Sequence, residues 1–190
     1  MMKLDFFDID AADEIAKPEM VGRVTGDSSA LEVFTDFNVY MPLVLEEGTC
    51  AVEAEKQMQK AHVRLKLVVD SKENFLGVVS LDNLNNQEVI KRLSEGYTRE
   101  ELTINEFMIP KKKLKAFDYD QIACATIRNV IEALKENGQQ HCLVLDRKEH
   151  KIRGIISASD IVRKLKLPVN IMTDASFLGI FNTVYHPDAV

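Results

Sequence analysis

The heptapeptide GVVSLDN at 77–83 returns as GIISASD at 154–160. Both copies place a glycine before two branched aliphatics, then a serine, two variable residues and a short polar side chain. A repeat constrains a fold more than composition does, because each copy must find the same local structure. The likeness extends upstream: LKLVVDSKENFLGVVSLDNL, from Leu65, aligns with HCLVLDRKEHKIRGIISASDI, from His141. The offset is 76 between Asp70 and Asp146 and 77 between Gly77 and Gly154, so the second turn carries one extra residue. Each segment is an apolar run, a polar turn and a second apolar run, which predicts two short strands joined tightly.

A helical pattern precedes each pair of strands. Ala51, Ala54, Met58 and Ala61 recur at spacings of three and four, as do Ile127, Val130, Ile131 and Leu134. Thr49 and Thr126 stand where N-caps are expected, and Gly138 stands at a C′ position. Further upstream, YMPLVLEE (40–47) and KLKAFDY (113–119) read as extended, each behind a short helical lead-in, SALEVFTDF or INEFMIP. Asp27, Ser28 and Ser29 are candidate caps for the first lead-in. Each half is therefore β-α-β-β-α, its last helix starting at the serine of the motif. The apolar runs are near-continuous, as suits strands covered on both faces. The KKK at 111–113 reads as a solvated turn.

The totals narrow the function classes. A chain of 190 residues hides roughly 70% of its unfolded surface, enough for a substantial core. A net charge of −6 and the absence of Trp oppose nucleic-acid binding and an anionic membrane surface. No apolar stretch reaches a membrane span, and the acidic N-terminus is no secretory signal. The cytoplasm is the expected location. Cys50, Cys124 and Cys142 are odd in number and widely spaced, so neither a disulfide framework nor a metal knuckle is expected. His62, His141, His150 and His186 lack metal-ligand spacing. No GxGxxG, GxxxxGK[ST], HExxH or GxSxG occurs, so an enzyme is not expected, with no catalytic residue, metal or required cofactor.

Two tandem β-α-β-β-α units, each ending in Gly-hydrophobic-hydrophobic-Ser-x-x-Asp or Asn, resemble a pair of CBS domains (named after cystathionine β-synthase) of the stand-alone bacterial type. The resemblance covers roughly residues 30–168. It implies an α/β (α+β) fold of two repeats about a pseudo-twofold axis, sheet against sheet. The expected boundaries are an N-terminal extension at 1–27, repeats at 28–90 and 102–168, a linker at 91–101, and a helical C-terminal extension at 169–190. The polar connection between the halves, roughly 85–103, is expected to hold a short helix and then the linker.

The motif supports two readings. In one, Ser157-x-x-Asp160 is a capping box: the hydroxyl accepts an orphan N–H and the acid reaches back. In the other, the start of the helix favours a phosphate and the carboxylate accepts the two hydroxyls of a ribose. The resemblance implies the second: Ser157 and Asp160, with Gly154 and Ile155 lining a cleft, and Gln140 and His141 just ahead of the strand. In the first repeat Ser80 and Gly77 are in place, but Asn83 replaces the acid. Asp82 lies one residue early, and a helical shift of one residue turns a side chain by about 100°, so Asp82 is not expected to substitute for it. That cleft, with Arg64 at its edge, is expected to be weaker or empty. Arg64 also reads as a surface residue ending a helix, His141 as a partly buried structural residue, and Cys142 as a small core residue.

The function expected from the resemblance is regulatory or sensory: an adenosine-containing ligand (AMP, ADP, ATP or a relative) binds between the repeats, and a separate effector protein reads the result. A homodimer is expected. The competing expectation is a scaffold or dimerisation protein that binds nothing small.

Overall fold

The computed structural model describes residues 24–98, 101–135, 140–168 and 176–185, with positions 8, 12, 14 and 15 of the N-terminal extension. A 3₁₀ turn at Ala30–Val33, capped by the Ser29 hydroxyl, leads into β1 (Phe34–Asp36). Then come β2 (Val44–Glu46), α1 (Ala51–Lys60), β3 (Leu65–Val69), β4 (Phe75–Ser80) and α2 (Asn86–Ser94). The second half runs through α3 (Ile104–Phe107), β5 (Ile109–Pro110), a 3₁₀ turn at Lys111–Lys113, and β6 (Ala116–Asp118). It continues with α4 (Tyr119–Cys124), α5 (Ile127–Leu134), β7 (His141–Asp146), β8 (Lys151–Ser157) and α6 (Ala158–Leu165). A last helix, α7 (Phe177–Tyr185), follows.

The strands form two four-stranded sheets with orders β2-β3-β4-β5 and β6-β7-β8-β1. The hairpins β3–β4 and β7–β8 are antiparallel, and β2 and β6 run parallel to β3 and β7. The fourth strand of each sheet comes from the other half: β5 pairs with β4, and β1 pairs with β8. This exchange explains both motif glycines. A Cβ on Gly77 would lie 2.3 Å from the Ile109 carbonyl oxygen, and one on Gly154 would lie 2.2 Å from that of Thr35. The visiting backbone crosses where a side chain would stand.

Alternation along the strands fills three apolar layers. Val68 and Val79 point toward Met58, Leu84, Leu102 and Ile104 in the first helical layer. Val144 and Ile156 point toward Ile127, Ile131, Ile161 and Phe177 in the second. The intervening positions, Leu67, Val78, Leu143 and Ile155, meet between the sheets. Both faces of each hairpin are thus covered, which is why the apolar runs are continuous.

The polar turns share one device. Asp70 Oδ1 accepts the N–H groups of Lys72 and Asn74, and Asp146 Oδ1 accepts those of Lys148 and Glu149. Glu73 and His150 take left-handed backbone, with φ of 63° and 54°.

Several local expectations change. Thr126 does cap α5, in a reciprocal box with Asn129. Thr49, however, is one residue early: Cys50 is the N-cap of α1 and makes no side-chain cap bond. After Ser80 the chain makes successive tight turns, and α2 begins only at Asn86. The helix α4 had no periodic signal because it is a single short turn and a half. The exposed lysines at 111–113 form a turn, as expected. Gly138 lies outside the described residues. The apolar face of α7 docks on the second helical layer through Phe177 and Ile180.

Candidate functional site

The two serine motifs have equal spacing and opposite hydrogen bonding. Asn83 Oδ1 accepts from both the backbone N–H and the hydroxyl of Ser80, at 3.0 and 2.8 Å, and Ser80 Oγ accepts the Asn83 N–H. The first motif is therefore the closed, reciprocal box. In the second, Ser157 Oγ caps α6 by accepting the Ser159 N–H at 3.2 Å. Asp160 does not complete the box; its carboxylate pairs with Arg163 at 3.0 Å. Burial raises the Asp160 carboxyl above its ordinary range, and Arg163 and Lys164 partly offset this. The start of α6 offers less to an anion than expected, because Gln140 C=O takes the Ala158 N–H and Ser157 takes that of Ser159.

The expected site residues distribute over three openings on the seam between halves. The first is a cleft with apolar walls from both halves: Leu65, Val78 and Ile109 with Leu114, Leu143 and Ile155. Its polar rim is Ser80, Asp82, Asn83, Lys115, Gln140 and His141. The second is an open groove where Asp160 lies beside Phe34, Thr35 and Tyr40. The third joins Ser157 and His141 to Arg64 and Arg163. Ile155, Gln140 and His141 thus share a cleft with Ser80 and Asn83, and Arg64 sits with Ser157. Ser157 and Asp160 face different openings. Gly77 and Gly154 lie beneath the exchanged strands.

Asp82 lines the cleft with Asn83, contrary to the helical estimate. That estimate turned on a helix starting at Ser80, and the segment is instead a turn. Its carboxylate is 66% exposed and stands 3.7 Å from the Arg64 guanidinium. Lys115, Ile109 and Leu114 had no local signal, because they arrive with the exchanged strand β5 and the turn after it. Thr35 and Phe34 reach Asp160 on β1 in the same way. Arg153 clamps β1 in place through two 2.8 Å bonds to Asp36, with its guanidinium carbon 4.4 Å from the centre of the Tyr119 ring.

His141 is largely buried, and desolvation, aided by the Arg64 charge, lowers its pKa from 6.5 to about 4. The folded protein therefore holds a neutral imidazole at pH 7. Above pH 6.5 neither state takes up the proton and the group is neutral in the balance. As pH falls from 6.5 toward 4, the unfolded chain is protonated first and stability is lost. Replacing His141 by Gln is expected to spare roughly 2 kcal/mol of the stability lost between pH 7 and pH 4.5. Urea titrations at both pH values measure the difference. Equal losses in the two proteins would show an imidazole that protonates freely in the fold. The same desolvation raises the Cys142 thiol to about 11, leaving it an inert core residue.

Residues 107–167 match the family model of the CBS domain. The fold is that of a tandem CBS pair. Solved structures share this architecture at low identity. An uncharacterized conserved protein of Pyrococcus horikoshii is 17% identical, with a TM-score of 0.54 over 77% of this chain and 98% of that one. CBSX2, a CBS-pair protein of Arabidopsis thaliana, is 19% identical in its complex with AMP, with a TM-score of 0.51 over 72% of this chain and 94% of that one. A conserved CBS domain protein of Thermoplasma acidophilum is 20% identical, with a TM-score of 0.50 over 80% of this chain and 78% of that one. No curated protein matches the chain. Among the described residues no helix is long and apolar enough to cross a membrane, and no cluster of three or more His, Cys, Asp or Glu is placed to hold a metal.

Proposed function

We propose that the chain is a regulatory, non-catalytic module that binds an adenosine-containing nucleotide in the cleft between its two CBS repeats. The observation that carries this reading is the division of that cleft into an apolar slot and a polar rim. A purine is flat and largely apolar on its faces, which suits a slot walled by Val78, Ile109, Leu143 and Ile155. The Asp82 carboxylate at the rim suits a ribose diol, which it accepts with charge-assisted bonds. Lys115 brings a cation for phosphate. The AMP bound by CBSX2 supports the ligand class.

The slot is built from both repeats, so a ligand in it favours the arrangement of the two sheets that it fits best. A separate effector protein and a second copy of this chain complete the proposal as the readers of that arrangement. The scaffold reading draws on one specific observation, that Ser80 and Asn83 spend their polar atoms on each other.

Thermal-shift and calorimetric titrations with adenosine, AMP, ADP, ATP and S-adenosylmethionine decide between the two. A ligand at 100 times its dissociation constant stabilises the fold by about 2.7 kcal/mol. Asp82→Ala is expected to weaken that ligand about tenfold, the worth of one charge-assisted hydrogen bond. Asp160→Ala, in the open groove, leaves it near the wild-type affinity. If Asp160→Ala abolishes binding and Asp82→Ala does not, the ribose lies in the groove instead. If no adenosine compound shifts the wild type, the scaffold reading stands.

A further inference from the structure

The two sheets end in equivalent strands with opposite flanks. Both β2 and β6 are edge strands that run parallel to the first strand of a hairpin. Ahead of β6 stand the exposed lysines at 111–113 and Lys115, charges of the kind that keep an edge from pairing with another chain. Ahead of β2 the chain reads Val39, Tyr40, Met41, Pro42 and Leu43. All of these but Pro42, together with Val44, are large apolar side chains left exposed, from 46% at Val44 to 88% at Met41. Met41, Pro42 and Val44 also wall a groove that carries Lys111 and Lys151, with Glu73 as the one acid among the described residues lining it. The helix layer of the second repeat is covered by α7, whereas among the described residues no strand pairs with the free side of β2.

The hydrogen-bonding groups of this edge show what it fits. Leu67 N–H donates to Leu43 C=O, and Glu47 N–H donates to Val69 C=O, so residues 43, 45 and 47 turn toward β3. Pro42, Val44 and Glu46 turn outward, as strand alternation requires. Pro42 has no N–H, and the Glu46 C=O already accepts the Thr49 N–H at 3.0 Å. We infer that β2 pairs antiparallel with β2 of a second copy of this chain, about a twofold axis at Val44. The two Val44 residues then exchange both of their backbone bonds. On either side the Glu46 N–H donates to the Pro42 C=O of the other copy, and the missing donor falls opposite the occupied acceptor. The edge is thus complementary to itself, as an isologous contact must be. Charge agrees with this pairing. Glu46 stands opposite Pro42 of the other copy on a shared face, which brings its exposed carboxylate toward the groove that carries Lys111 and Lys151. The surface gives a place to the second copy named in the proposed function and does not depend on a nucleotide in the cleft.

Sedimentation velocity on the full, nucleotide-free chain over a range of concentrations tests this, together with amide hydrogen exchange. The wild type is expected to dimerise as concentration rises, and exchange at the Val44 and Glu46 amides is expected to slow in step. Val44→Lys sets two like charges across the axis and is expected to weaken the dimer about tenfold or more. Ile90→Lys, at an exposed position on α2, should dimerise as the wild type does. A wild type that stays monomeric at every concentration overturns the inference. So does a dimer that a folded Val44→Lys leaves intact, or one that Ile90→Lys abolishes. Should Val44→Lys fail to fold, the wild-type amides decide: exchange at Val44 and Glu46 that ignores concentration overturns the pairing. Protection of those amides in a monomer would mean that another segment of the same chain covers the edge, and also overturns it. No nucleotide enters the experiment, so its failure leaves the nucleotide reading standing.

Discussion

Gly154→Ala is expected to destabilise the protein by about 3 kcal/mol, at the upper end of what overpacking costs. The new Cβ would sit 2.2 Å from the Thr35 carbonyl oxygen and 2.4 Å from the Phe34 ring. Neither neighbour is the loose end of a flexible side chain. Relief requires β1 to lift from β8, and that strand carries more than its own ladder. The Asp36–Arg153 pair and the packing of Arg153 on Tyr119 are registered by it. Urea denaturation with Gly48→Ala as the control measures the effect, because a Cβ at Gly48 meets nothing within 4 Å. The control should stay within about 0.5 kcal/mol of wild type. A wild-type midpoint for Gly154→Ala would mean that β1 does not cross Gly154, and the strand exchange would be wrong.

Phe177→Ala carries the second large effect, a loss of about 3–4 kcal/mol. The ring is fully buried in the layer formed by Ile127, Ile131 and Ile161, and Ile180 is buried beside it. Two cations hold the far part of α7: Arg128 lies 5.7 Å from the Tyr185 ring centre and Lys135 lies 5.5 Å from that of Phe181. Truncating Phe177 leaves a cavity beneath α7. Leu178→Ala, at a 45% exposed position on the same helix, is expected to cost well under 1 kcal/mol. Urea unfolding of the two variants gives the comparison. Equal stabilities would show that α7 is not seated in the second core.

The repeat was legible because it is local. Each hairpin, its aspartate-capped turn and the helix before it lie within one stretch of sequence, and the apolar run with its polar turn marks them plainly. The strand exchange was not legible, because β1 and β5 are three and two residues long and too short to show a period. Their partners lie more than thirty residues away in one case and in the other half of the chain in both. Missing the exchange hid Lys115 and Ile109 from the cleft and Thr35 from the Asp160 groove.

The site residues show the same limit at finer scale. Ser80-x-x-Asn83 and Ser157-x-x-Asp160 look alike, yet the Asn83 amide closes onto the Ser80 backbone and the Asp160 carboxylate turns to Arg163. Spacing predicts which atoms can meet. It does not predict which partner wins when a cation stands three residues on. Asp82 was set aside on helical geometry that the turn at 81–85 does not follow, and it is the carboxylate now placed at the rim of the cleft.

Photolabelling with 8-azido-ATP, followed by peptide mapping, tests the location of the nucleotide most directly. The azide sits on the base, so the label should fall on the walls of the slot, at Leu65 or in residues 78–83, 109–115 or 140–155, and excess ATP should suppress it. Label at Phe34–Tyr40 beside Asp160, or label that ATP does not suppress, would contradict a nucleotide held in the cleft between the repeats.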